Sequence, residues 1–319
     1  MNAIVDASVL AHRSASHIVE HPNGAADIDV SSQFSCKYDR DAGALWSTWS
    51  PKGIPCFNLE LLHDLERGSL LIENYFSTNS ETNPLHYIVL HSAIPQVFNV
   101  GGDLGYFQRL ISVQDRAGLT EYARAAIDVQ YRNYTAHGLR GVTTIALLEG
   151  DALGGGFESA LSCEIIVAEK HVKAGFPEVL FNMFPGMGGM SFLARRVGRR
   201  VANDLVRSGR MYSAIELFDI GLIDHLVDTG SGRDEIRKIM RQRENQRAAH
   251  NAMNAVDRMI HPVELQELHD IVNLWVDCAL GLDTRSLEWM QRLFQRQLAI
   301  FGQPLSVAVD ERAPLALAA

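Results

Sequence analysis

The stretch Gly150-Asp151-Ala152-Leu153-Gly154-Gly155-Gly156-Phe157-Glu158 decides how the rest of the chain is read. It follows the apolar run Val142 to Leu148, which reads as a buried strand, and leads into Ser159-Ala160-Leu161-Ser162-Cys163, which can continue as a helix. Three consecutive glycines between strand and helix let the backbone approach a ligand with no Cβ in the way. The first helical turn adds unpaired N–H groups and a positive dipole end, and Glu158 sits at that same turn. Donors and a carboxylate at one point suit a carbonyl that becomes an enolate beside a proton carrier. The same glycines also serve a tight turn with close helix packing, so this motif alone leaves turn and site open.

Nucleotide sites are the obvious rivals, and the spacing argues against both. A dinucleotide fingerprint needs Gly at positions one, three and six, but Gly154 and Gly156 are followed by Ser159. A phosphate-cradling loop ends in Gly-Lys-Ser/Thr, and no Lys is present here.

Composition narrows the class. The chain has 319 residues, 47% hydrophobic and 21% charged, with a formal net charge of -9. That describes an ordinary globular protein without general affinity for nucleic acid or an anionic membrane. Cys36, Cys56, Cys163 and Cys278 are far apart, form no metal-ligand spacing and read as reduced thiols. No basic-then-apolar leader opens the chain, and no apolar run reaches the ~18 residues of a membrane span. A cytoplasmic enzyme is expected, with no membrane insertion, no metal and no cofactor.

Outward from the glycine turn, strands are predicted at Phe34 to Tyr38, Ala44 to Trp49, Tyr87 to Leu90, Glu164 to Ala168 and Ile223 to Val227. Asn58 reads as the cap of a helix carrying Leu61, Leu62 and Leu65. Residues 191 to 208 alternate apolar and basic at helical spacing. After Gly230 the pattern is helical to about residue 300, with an apolar stripe through Leu287, Met290, Leu293 and Phe294. Strands alternating with helices, then helices alone, predict an α/β core and a helical C-terminal region. The expected divisions are a leader at 1–27, a core at 28–230, a helical region at 231–303 and a flexible tail at 304–319. The basic clusters at Arg195-Arg196, Arg199-Arg200 and Arg237 to Arg243 read as solvated helix faces, or as a surface for an acidic or phosphorylated partner.

A second carboxylate, Glu178, lies 20 residues after Glu158 in Gly175-Phe176-Pro177-Glu178-Val179-Leu180. Pro177 fixes the backbone just before it. Pro185-Gly186-Met187-Gly188-Gly189 follows as another close-approach turn, and Phe98-Asn99-Val100-Gly101-Gly102-Asp103-Leu104 is a glycine turn upstream. Two carboxylates beside oxyanion donors can divide acid and base roles.

These four motifs, in this order, resemble the crotonase (enoyl-CoA hydratase/isomerase) superfamily over roughly residues 45 to 300. Within it, Val97 to Leu104, Gly154 to Ser162, Pro177 to Met187 and Ile271 to Asp277 look most like the diffusible-signal-factor synthases of bacterial quorum sensing. The resemblance implies an α/β crotonase-like ββα spiral core with a helical C-terminal oligomerisation region, and a homo-oligomer, trimeric or hexameric. It implies Glu158 and Glu178 as catalytic residues and the backbone N–H groups of Gly102 and Gly155 as the oxyanion hole. Gly101, Leu153, Gly154, Met187, Trp275 and Leu293 are then substrate-binding. The implied activity is dual: dehydration of a 3-hydroxyacyl-[acyl-carrier-protein] to the cis-2-enoyl thioester, then thioester hydrolysis to release a cis-2-unsaturated fatty acid signal. The receiver domain of a sensor kinase is an implied partner. The same-fold alternative is a CoA-dependent hydratase/isomerase without thioesterase activity, and a catalytically silent binding protein is a third reading. Phe157, where hydratases often carry a smaller residue, reads as core.

Overall fold

The computed structural model describes residues 17–21 and 26–301. Twelve strands are present among them: β1 (His17–Glu20), β2 (Ala26–Asp29), β3 (Phe34–Asp39), β4 (Ala44–Trp49), β5 (Tyr87–Ser92), β6 (Gln96–Asn99), β7 (Thr143–Leu148), β8 (Gly150–Leu153), β9 (Ile165–Glu169), β10 (Lys173–Gly175), β11 (Met211–Ser213) and β12 (His225–Val227). The helices are α1 (Leu59–Thr78), α2 (Leu104–Ser112), α3 (Arg116–Tyr134), α4 (Gly155–Leu161), α5 (Gly189–Ser208), α6 (Ala214–Asp219), α7 (Gly232–Arg243), α8 (Arg247–Ile260), α9 (Leu265–Leu280) and α10 (Thr284–Phe301).

The strands form two sheets. The larger runs β1-β2-β3-β4-β5-β7-β9-β12 and the smaller β11-β10-β8-β6. The pairs from β1 to β4 are antiparallel, and those from β4 to β12 are parallel. The order of elements explains the two sheets. β5, β7 and β9 each enter the large sheet, and the next strand (β6, β8 or β10) crosses to the small one before the chain turns into a helix. Three successive ββα turns thus wind as a spiral. Each puts a strand-to-helix turn at the same edge of the small sheet, and those turns carry the glycine motifs.

Local chemistry fixes the elements. Asn58 caps α1 by accepting a hydrogen bond from the Leu61 amide at 2.8 Å, as its position before an apolar helix predicts. All six residues of β7 are buried, the mark of a parallel strand covered on both faces. One face of the large sheet packs against α7 through Ile236, Ile239 and Met240. The other shares the main core with α1, α3, α4, α5 and α9. Phe157 fills this core, with its ring centroid 5.3 Å from that of Phe176.

Two expectations change. The leader ends earlier than residue 27, because β1 and β2 join the sheet: Ile28 pairs with Ile18 on one side and Cys36 on the other. Their shortness, and the Pro22-Asn23-Gly24 turn signal beside them, hide them from periodicity. The rest of the expected leader, and the tail at 304–319, lie outside the described residues. Arg195 and Arg196 are not free surface charges. Arg195 makes a two-pronged contact with Glu267 and donates to the Pro262 carbonyl, tying α5 to α9, while Arg196 donates to the carbonyls of Leu161 and Cys163. No helix among the described residues is long and apolar enough to cross a membrane.

Candidate active site

The turn from β6 to α2 begins with Asn99, fully buried, whose Oδ1 accepts from the Gly101 amide at 2.7 Å. Gly101 has φ +96, a left-handed conformation open to glycine, and its carbonyl accepts from the Phe57 amide at 2.8 Å. Tyr122, on α3, braces the turn from below. Its hydroxyl donates to the Phe57 carbonyl and accepts from the Asp103 amide. The Gly102 amide makes no hydrogen bond to another described residue.

The turn from β8 to α4 approaches it closely. A methyl group on Gly101 would stand 3.2 Å from the Gly155 nitrogen. Gly154 holds φ +49, a conformation that favours glycine, and a Cβ there would displace the Glu178 carboxylate. Gly155 opens α4, and its amide likewise makes no bond to another described residue. Two idle backbone donors from separate turns therefore lie beside both glutamates.

Glu158, in the first turn of α4, is sealed from solvent. Its Oε1 accepts from the Met187 amide at 2.8 Å and the Gly189 amide at 2.7 Å. The Pro185 to Gly189 turn, expected to approach a ligand, thus holds the Glu158 carboxylate at the positive end of α5. Burial raises the Glu158 pKa to about 7, and the two amide donors restrain the rise. Glu178 sits in the single helical turn Pro177–Phe181, half-buried, with Oε2 closed off from solvent and unpartnered. Burial pushes its pKa well above the ordinary carboxylate value, and the neighbouring Glu158 pushes it further. Of the two, Glu158 is the better placed to carry a negative charge and Glu178 to keep a proton.

All ten expected site residues border one cavity: Gly101, Gly102, Leu153, Gly154, Gly155, Glu158, Glu178, Met187, Trp275 and Leu293. Met187 Sδ occupies the space a side chain on Gly155 would need. Trp275, on α9, lies over Gly186 and packs edge-on against Phe107 at 5.1 Å between ring centroids. Met290, Leu293 and Gln297 bring one face of α10 to the same cavity. Sequence reasoning missed Phe107, Tyr122 and Gln297 as wall residues. The i, i+3, i+7 spacing on α10 was visible as an apolar stripe, but Gln297 interrupts it, and nothing local marks Tyr122. His91 and His137, given no role from the sequence, do not line the cavity. No cluster able to hold a metal ion occurs among the described residues.

Comparison with known proteins agrees with this architecture. The chain resembles "Probable enoyl-CoA hydratase 2, mitochondrial" of Arabidopsis thaliana, 31% identical over 171 residues, covering 54% of each chain. It resembles human mitochondrial methylglutaconyl-CoA hydratase at 31% over 147 residues, 46% of this chain and 41% of that one. The chain thus spans about half the length of the curated relatives it matches. Among solved structures, human mitochondrial delta3-delta2-enoyl-CoA isomerase superposes with a TM-score of 0.70, covering 84% of this chain and 99% of that one at 17% identity. An enoyl-CoA hydratase of Bacillus halodurans gives 0.68, covering 82% and 100% at 21% identity. The family model described as enoyl-CoA hydratase/isomerase matches residues 69–277, a span that contains both glycine turns, both glutamates and Trp275. With that span matched and the spiral of ββα turns in place, this chain belongs to the enoyl-CoA hydratase/isomerase family.

Proposed function

We propose that this chain moves water across the α,β double bond of an acyl thioester, as a CoA-dependent hydratase does. One observation carries the reading: two carboxylates, Glu158 sealed and Glu178 half-buried, and two idle backbone donors, Gly102 and Gly155, meet at the wall of one apolar cavity. The thioester carbonyl takes both N–H bonds, which strengthen as its oxygen becomes an enolate; losing one such donor typically costs ~10²–10³ in rate. In hydration, Glu158 accepts a proton from water as the water oxygen bonds to C3. The double-bond electrons pass to the carbonyl oxygen, and Glu178 then delivers its proton to C2. Dehydration reverses each transfer.

The apolar wall supplied by Trp275, Met290 and Leu293 favours a second reading, the signal-factor synthase on acyl carrier protein. A mostly apolar cavity suits a long acyl chain, and the same donors can stabilise the tetrahedral anion formed when activated water attacks the thioester. A partnership with a sensor-kinase receiver domain belongs to that reading alone.

Mass spectrometry of products separates the two. Purified protein is incubated with the 3-hydroxydodecanoyl thioesters of CoA and of acyl carrier protein. The hydratase reading expects hydroxyacyl and enoyl thioesters in equilibrium with the thioester bond intact. Release of free cis-2-enoic acid over many turnovers moves the assignment to the synthase. An untouched substrate on both carriers, with enoyl thioesters also unhydrated, overturns both.

A further inference from the structure

Gln297 is buried to 2% exposure, lines the same cavity as the glutamates, and forms no hydrogen bond with a described residue. An amide withdrawn from water without a partner is costly, and such groups are rare unless something else supplies the bond. The rest of the cavity offers nothing comparable. The Tyr122 hydroxyl is committed to Phe57 and Asp103, the two glutamates handle the reacting protons, the Trp275 indole can only donate, and the other lining side chains are apolar or glycine. Two N–H donors and one carbonyl acceptor on Gln297 therefore face cavity space unused.

Its position tells which part of a substrate it meets. Leu293 and Phe301, one turn before and one after Gln297 on α10, both pack on the cluster of Cys56, Val97, Val100 and Leu153. Val97 lies in β6, the edge strand of the small sheet, and Val100 and Leu153 immediately precede the two glycine turns. Met290, earlier on α10, joins Trp275, Phe107 and Met187 in the main core, Leu293 touches both clusters, and Phe301 packs on the Cys56 cluster alone, so the helix leaves the Trp275 side as it passes Gln297. A hydrocarbon tail lying along Trp275 has no polar group to offer, and the 3-hydroxyl belongs between the glutamates. What passes the glycine turns outward from the thioester sulfur is the carrier arm. In CoA and acyl carrier protein alike, that arm is pantetheine, with its first amide two carbons from sulfur and a second beyond it.

The geometry points to Gln297 as a specificity residue that pairs, amide to amide, with the pantetheine arm of the thioester. This rests on the thioester reading above. Gln297 touches no reacting atom, so it acts on binding and leaves the chemical step alone.

The test uses enoyl thioesters with one acyl group on four carriers: CoA, acyl carrier protein, N-acetylcysteamine (first amide only) and 1-pentanethiol (the same length with no amide). Gln297→Met keeps size and removes the amide. For CoA, carrier protein and N-acetylcysteamine, KM should rise roughly tenfold with kcat unchanged within about twofold, as expected for one lost neutral hydrogen bond. For the S-pentyl thioester KM should stay level or fall. Thermal melting should stay level or rise, because no protein partner is lost. Equal KM effects on the S-pentyl and amide-bearing substrates would overturn the inference, as would a drop in melting temperature with kcat falling on all four. An effect on CoA alone would assign the contact to the nucleotide and also overturn it. If the unaltered protein turns over none of the four, the thioester reading fails first; an active protein indifferent to Gln297→Met sinks this inference alone.

Discussion

Glu158 is closed off from water yet accepts two backbone hydrogen bonds, so burial and amide donors pull its ionisation in opposite directions. The net pKa of about 7 lies above the ordinary 4.5, which makes this carboxylate a cost to stability once it ionises. The sign follows from proton counting: between those two values the folded state binds more protons than the unfolded one, so stability falls as pH rises through that window. Glu158→Gln keeps an oxygen for both amides and removes the charge. It should leave stability unchanged near pH 4 and raise it at pH 8 by a few kcal/mol at most, on the order of 3 from the shift alone. Urea melts at the two pH values check this, and equal stability changes at both would contradict it. The same variant should lose hydratase activity by several orders of magnitude, as should Glu178→Gln. The double variant should be little worse than either, because the two act as a unit. In the unaltered protein, kcat/KM should fall as pH drops below about 7, where the base becomes protonated.

Among the elements, the strand-to-helix turns were the most legible, because their chemistry is local. Gly154 and Gly101 hold positive φ and Asn58 caps α1; each leaves its mark in neighbouring letters. Glu158 and Glu178 stood out only as part of a joint pattern. Tyr122 and Gln297 could not be found this way. Tyr122 acts through Phe57, 65 residues away, and Gln297 takes its meaning from the cavity it faces. β1 and β2 escaped because four-residue strands carry too few alternations to register. Trp275 on α9 gives this scale its prediction. Trp275→Ala should lengthen the inner cavity and shift preference to longer acyl chains, at ~0.8 kcal/mol or about fourfold per methylene newly accommodated. It should also cost ~3–5 kcal/mol of stability, like other large-to-small core changes. An unchanged chain-length profile in a protein destabilised by that amount would return Trp275 to plain packing.

Across the whole molecule, α8 exposes Met253, Val256, Met259 and Ile260 and buries none of its own residues. Three of these recur at i, i+3 and i+7, one face of the helix, and a contiguous apolar face of that kind marks an association surface. Sedimentation velocity on Val256→Glu with Met259→Glu should show smaller particles than the unaltered protein, without loss of helix content; an unchanged sedimentation coefficient would exclude α8 from any subunit interface. The origin of the cavity walls has a consequence for how the protein is made. Gln297 follows Met187 by about 110 residues, so at roughly 5–20 residues per second a ribosome needs ~5–20 s to supply the roof after the glutamates have emerged. During that interval the nascent chain presents an open oily cleft lined by Phe107, Leu153 and Met187. The cavity is therefore, for those seconds, an aggregation liability, and binding of chaperones to the nascent chain should fall once α10 has been supplied.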